Sequence, residues 1–199
     1  MVVKLEKRLF SVKEYHAMIQ TGLLTENDPV ELIRGEIVYK PDRNFQPATR
    51  DELMAVGRRH AACVKRLNAL FNQRLTGQAI VSIQDPVEID EYSEPEPDVC
   101  LLKQKDDFYE SGHPKAEDIW LLIEVADSTL ESDRTIKLPL YAEDNISEVW
   151  IVDINAQQVE VYRQPSPTGY QSAQIFRRGQ VITLQAFTSI FIAVDDILG

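Results

Sequence analysis

Ile119-Trp120-Leu121-Leu122-Ile123-Glu124-Val125-Ala126 is a nearly continuous apolar run carrying one carboxylate. A half-exposed strand alternates apolar and polar side chains, whereas a strand that is apolar throughout fits a position covered on both faces. The segment therefore predicts a central strand with a layer above and a layer below it. Strands outnumber helices along the chain, yet a long amphipathic helix is present, so the fold class is α/β. At 199 residues the chain is long enough for this, since a domain of that size buries roughly 70% of its extended surface. Residues 30–199 read as a single domain, and residues 1–29 as an N-terminal helical extension packed on it.

Other segments supply the flanking pieces. Ser11-Val12-Lys13-Glu14 is a capping-box signature that opens a short helix to about Gln20, with Gly22 as its stop. Val30 to Tyr39 reads as a hairpin turning at Arg34-Gly35. A second capping box at Thr49-Arg50-Asp51-Glu52 opens the clearest helix, whose residues Leu53, Val56, Cys63, Val64, Leu67, Leu70 and Phe71 recur at three- and four-residue spacing. Its polar side carries Arg58, Arg59, Lys65, Arg66 and Arg74. Further strands are expected at Ala79–Ile83, Val87–Ile89, Asp98–Leu102, Glu148–Ile154, Val159–Tyr162 and in the terminal third. The acidic run Glu88–Glu96 reads as an exposed or edge segment, and a helix distorted by Pro139 is expected over Ser132–Glu143.

Two cysteines, Cys63 and Cys100, make no disulfide framework and read as buried small hydrophobes of a reducing compartment. No apolar run is long enough to cross a bilayer, so a cytoplasmic protein without membrane contact is expected. Glycine-rich phosphate loops, HExxH, clustered Cys ligands and GxSxG elbows are all absent. Nucleotide-dependent enzymes, zinc proteases and common serine hydrolases are thereby disfavoured, and no nucleotide cofactor is expected.

Three dispersed residues carry the chemistry. Asp98 opens an apolar strand, Glu124 interrupts the central one, and Lys137 follows on the next helix. Two carboxylates converging in a low-dielectric cleft suit a divalent metal, and the Val125 carbonyl offers another oxygen. A nearby lysine then orients water or stabilises charge on a phosphate. Structural alternatives stand beside each reading. Glu124 would pair with an arginine, Asp98 would cap a strand entrance, and Lys137 would pair with Asp133 four residues back. His60 points with the apolar face of the long helix and reads as a core histidine or as a group that places phosphate or water. His16 and His113 have no comparable setting.

These blocks together resemble the PD-(D/E)XK nuclease superfamily and, more closely, the Uma-two family of restriction-endonuclease-like proteins abundant in cyanobacteria. The resemblance runs from about Glu31 to Leu198 through ELIRGEIV, the His60 helix, Pro97-Asp98-Val99, IEVADST, the Asp133–Lys137–Tyr141 region and EVWIVD. It implies a restriction-endonuclease-like core, a mixed central sheet flanked by helices, with Asp98 and Glu124 as metal-binding acids. Ala126 stands where that superfamily's lysine usually lies, and the resemblance moves this role to Lys137. Glu36, and after it Glu31, is expected near the pocket. The implied activity is Mg²⁺-dependent hydrolysis of DNA phosphodiesters, with Mn²⁺ an alternative ion. A catalytically weak nucleic-acid-binding or regulatory protein, and a homodimeric module using the Trp120 and Trp150 strands, are the competing readings. The formal charge of −11 argues for weak non-specific DNA binding rather than against a nuclease.

Overall fold

The structure, a computed structural model, describes residues 6–25, 28–40 and 50–199, with only the backbone of 50–56. The capping box that begins at Thr49, the Leu53 and Val56 side chains and the loop over 41–47 lie outside the described residues.

β5 (Ile119–Ala126) occupies the run predicted for it and lies inside a six-stranded sheet. The sheet order is β3 (Ile80–Ile83), β4 (Val99–Leu102), β5, β6 (Glu148–Asp153), β7 (Gln158–Ser166) and β8 (Gly169–Arg177). Only the β5–β6 pair is parallel, so the sheet is mixed. A parallel neighbour demands a crossover, which the helical run over 130–143 supplies. Alternation divides the core into two layers. Val99, Leu101, Leu121, Ile123, Val125, Trp150 and Val152 face the long helix α2 (Arg50–Arg74) and the C-terminal elements. Cys100, Leu102, Leu122 and Val149 face the other layer, with Leu140, Tyr141 and Ile33.

In that second layer, β1 (Val30–Ile33) and β2 (Glu36–Tyr39) form the expected hairpin. Arg34 and Gly35 both have positive φ, 50° and 77°, as a two-residue turn of this hand requires. A Cβ on Gly35 would lie 2.6 Å from that of Leu9, so glycine also allows the N-terminal segment to pass over the turn. The predicted capping box is present on α1 (Val12–Gln20): Ser11 Oγ accepts from the Glu14 amide, and the Glu14 carboxylate accepts from the Ser11 amide. Val12 and Tyr15 pack against Val30 and Leu32.

Several expectations change. Val87–Ile89 adds no named strand; Glu88 makes an isolated bridge to Lys115 while Val87 and Ile89 are buried. The acidic run is not simply exposed, because the chain folds back at Asp90–Ser93 and carries Ser93 and Glu94 into the interior. Trp150 is fully buried beside Phe71 and offers no surface to a partner, while Trp120 packs edge-on to Phe187. Cys63 and Cys100 are both buried and free, and burial pushes the Cys63 thiol up to about 12. Among the described residues no helix is long and apolar enough to cross a membrane.

Candidate active site

The register of β4 on β5 pairs Val99 with Ile123 and Leu101 with Leu121. One step further along the same register sets Asp98 opposite Glu124. β5 thus runs past the start of β4, and the Val125 N–H is met by a side chain instead of a backbone carbonyl: Asp98 Oδ2 accepts it at 2.8 Å. The same oxygen lies 3.0 Å from His60 Nε2 on α2, and Oδ1 accepts from Gln84 Nε2 at 3.1 Å. Gln84 follows β3 with φ of 54° and also donates its amide to the Asp98 carbonyl. Among the described residues Asp98 is held by neutral groups and an imidazole rather than by a guanidinium.

Glu124 is 4% exposed. Tyr141 donates to its Oε1 at 2.6 Å, and Lys137 Nζ lies 3.3 Å from the same atom. Lys137 also sits 3.4 Å from Glu31 Oε2, an oxygen that accepts from the Glu96 amide. Burial pushes the Glu124 carboxyl well above its usual range, and the Lys137 charge recovers only part of this. For Lys137 burial works against the ammonium, but Glu124, Glu31, Asp133 and Asp98 outweigh it and raise its pKa. Lys137 therefore stays protonated. Its chemistry is that of a donor and a fixed positive charge, not of a base.

Pro139 shapes the way Lys137 reaches inward. A proline inside a regular helix removes an amide and clashes with the carbonyl four residues back. Here a π-helical turn over Asp133–Lys137 separates α3 (Leu130–Ser132) from α4 (Leu138–Glu143), and Leu138 N–H bonds to Asp133 across five residues. Pro139 falls in the first turn of α4, where its missing N–H costs nothing. Asp133 Oδ2 accepts from the Thr129 hydroxyl at 2.6 Å. The widened turn sends Lys137 towards Glu124 and Glu31, which the four-residue spacing to Asp133 did not suggest.

The two glutamates of the hairpin are placed differently. Glu36 and Glu31 share one face of the hairpin, but Glu36 borders the turn and forms an exposed pair with Lys7 at 2.8 Å. Glu31, two residues deeper than the turn-flanking Ile33, takes the inward place. The basic side of α2 is also partly committed elsewhere. Arg66 donates to the Ile197 and Leu198 carbonyls, at 2.9 and 2.6 Å, closing the end of α5 (Val194–Leu198). Arg59 donates to Asn155 at 2.9 Å.

A second group had no sequence signal at all. His16 on α1, Glu94 and His113 bring ligand atoms within 4.8 Å of one another, a set capable of holding a metal ion. Separations of 78 and 19 residues match no metal-ligand spacing, and each histidine alone looked unremarkable.

A family model described as "Uma2: Putative restriction endonuclease" matches residues 12–195. Four solved chains match. One of them is the crystal structure of "a putative nuclease belonging to DUF820" from Anabaena variabilis ATCC 29413, 18% identical. That likeness covers 95% of this chain and 97% of the other, with a TM-score of 0.60, and it is a likeness of fold. No curated protein matches the chain.

Proposed function

Because the chain belongs to the Uma2 family, we propose that it is a metal-dependent endonuclease hydrolysing DNA phosphodiester bonds. The observation that carries this reading is the cross-strand opposition of Asp98 and Glu124 beside a charged Lys137. Four carboxylates, those of Asp98, Glu124, Glu31 and Asp133, act on one buried lysine. The surplus negative charge fits a hard divalent cation, as does a donor set made of oxygen. Asp98 and Glu124 would hold Mg²⁺ or Mn²⁺, with the Val125 carbonyl as a third oxygen. In an extended strand a residue's N–H and C=O project to the same side, so that carbonyl shares the side on which Asp98 takes the N–H.

When bound, such an ion supplies Lewis acidity at the phosphate and lowers the pKa of its water. The chain's own residues do the rest. Lys137 donates to a non-bridging phosphate oxygen or to the attacking water, and remains cationic as negative charge grows there. Glu31 helps keep the ammonium aimed by holding it together with Glu124. Tyr141 fixes the Glu124 carboxylate, while His60 and Gln84 fix that of Asp98. Glu36 takes no part.

The test is incubation of supercoiled, linear and single-stranded DNA with the full chain and Mg²⁺ or Mn²⁺. Cleavage should fall by at least ~100-fold in Asp98→Ala and in Glu124→Ala, more than the effect typical of outer-shell partners. Circular dichroism and thermal melting confirm that each variant is folded. Metal-dependent cleavage that survives both substitutions overturns the site. Salt-sensitive DNA binding without turnover would instead favour a catalytically weak binding protein, a reading that the internal use of Arg59 and Arg66 makes less attractive.

A further inference from the structure

The N-terminal side of the molecule holds a cavity of about 550 Å³, lined by Tyr15, His16, Gln84, Glu94, Glu96 and His113 among others. Its chemistry differs from that of the Asp98 cluster. The side chain of Glu94 is 3% exposed, and both of its oxygens face His16 Nε2, at 2.9 and 2.8 Å. His113 stands edge-on to His16, with ring centroids 5.6 Å apart. A buried carboxylate facing two imidazoles has two ways to be satisfied, a protonated histidine or a shared cation. The short separation suits either, because bonds of about 2.1 Å place neighbouring ligands on one ion roughly 3 Å apart.

Two further features favour the cation. The ligands are already fixed by backbone bonds independent of any metal. The Val12 amide at the head of α1 donates to the Glu91 carbonyl, the Glu94 amide to Leu32, and the Glu88 amide to Pro114 beside His113. Little chain entropy remains to be lost when an ion binds. The surroundings are also acidic, since Glu96 and Asp28 line the same cavity. His113 is exposed, which leaves an entry path and open coordination positions towards the cavity.

We propose that His16, Glu94 and His113 form a second metal site, specific for a transition ion such as Zn²⁺ rather than Mg²⁺. Two neutral imidazoles and one carboxylate suit Zn²⁺, Fe²⁺ or Ni²⁺, whereas Mg²⁺ favours oxygen ligands and water. The ion clips α1 and the connection that carries His113 onto the β1-tethered Glu94 segment, beside the cavity whose lining includes Gln84, a residue that holds Asp98. The site does not depend on the nuclease reading, since it shares no ligand with Asp98 or Glu124.

The test uses the full chain, stripped with chelator and titrated with Zn²⁺ by calorimetry and with Co²⁺ by visible absorption. One equivalent should bind, survive millimolar Mg²⁺, and persist in the Asp98→Asn/Glu124→Gln double variant. Affinity should fall at least ~100-fold in both His16→Ala and His113→Ala, beyond the range of second-shell losses. His113 is exposed, so its variant guards against misfolding of the His16 variant. Zn²⁺ should raise the thermal midpoint of the wild type and of the double variant, but not of His113→Ala. Absence of binding at micromolar Zn²⁺ overturns the proposal. So does an unchanged affinity in either histidine variant, or loss of the bound equivalent in the Asp98→Asn/Glu124→Gln protein.

Discussion

Three neighbouring strands of the sheet bury glutamates, β6 and β7 in one way and β5 in another. On β6 and β7, Glu148 and Glu160 are saturated. Glu148 Oε1 accepts from Arg163 and from the Trp150 indole, while Oε2 accepts from the Gln185 amide. Glu160 takes the Arg134 guanidinium through both oxygens, with Tyr162 and Gln158 filling the remaining positions. On β5, among the described residues, the hydrogen bond and the ion pair of Glu124 both converge on Oε1. At Glu160 the planar arginine fork meets both oxygens, and at Glu148 the Gln185 amide takes the oxygen that Arg163 leaves, whereas the lysine ammonium at Glu124 is a point charge that leaves capacity over. The difference separates a structural ion pair from a site able to accept another cation. Arginine lowers the Glu160 pKa against the pull of burial, while Glu124 is left raised.

The comparison is broken most forcefully at Arg163. Arg163→Met leaves Glu148, 1% exposed, without its cation. A loss of about 3–5 kcal/mol is expected, as for other buried pairs stripped of one partner. Urea unfolding at pH 7 measures it, and a loss below about 1 kcal/mol would show that the Trp150 and Gln185 bonds suffice alone.

Glu124→Gln should behave otherwise. The substitution removes a carboxylate whose proton affinity rises on folding. Such a group contributes most below its unfolded pKa, near 4.5, and that contribution is lost as pH rises through the higher folded value. In chelator the variant should therefore be neutral, or more stable by about 1 kcal/mol at pH 7, because Lys137 keeps Glu31. Its advantage should shrink towards pH 4. A penalty as large as that of Arg163→Met would place Glu124 among the structural pairs and remove the basis for a metal at β5.

How much of this could be read beforehand follows from the range over which each signal acts. The bounds of β5, the hairpin turn and the Ser11 capping box are local, and periodicity or a few adjacent residues specify them. Asp98, Glu124 and Lys137 were legible because a charge at the head of, or within, an apolar segment is conspicuous, and because the surrounding blocks resemble a family. The choice between Glu31 and Glu36 was not legible. Both occupy the same hairpin face, and only their tertiary partners, Lys137 for Glu31 and Lys7 for Glu36, tell them apart. The His16–Glu94–His113 group was wholly hidden. It depends on the chain folding back at Asp90–Ser93, which turns part of an apparently exposed acidic run inward. The partners of the α2 arginines were hidden for a related reason: a helical wheel shows which side is polar, but not that Arg66 closes the end of α5.

Asp144 gives the smallest effect and a third regime, a carboxylate crowded by its own kind. Partial burial, then Asp90 and Glu143, raise its pKa from 3.8 to about 6, and Arg34 relieves only part of this because it is paired with Glu143 at 2.8 Å. A raised carboxyl favours the folded state below pH 3.8, and that benefit is lost as pH climbs to about 6. Asp144→Asn cannot ionise, so its stability curve should lack this decline. Relative to wild type it should gain between pH 4 and 6 and hold a constant advantage above pH 7. Because the group is partly solvated, the gain should be well under that of Glu124→Gln. Chemical denaturation at half-unit pH steps reads the difference directly. A wild-type and variant pair that run parallel from pH 4 to 7 would show that Asp144 titrates normally. Crowding by Asp90 and Glu143 would then be screened by water, and the raised proton affinity would belong only to carboxylates held, like Glu124, beyond its reach.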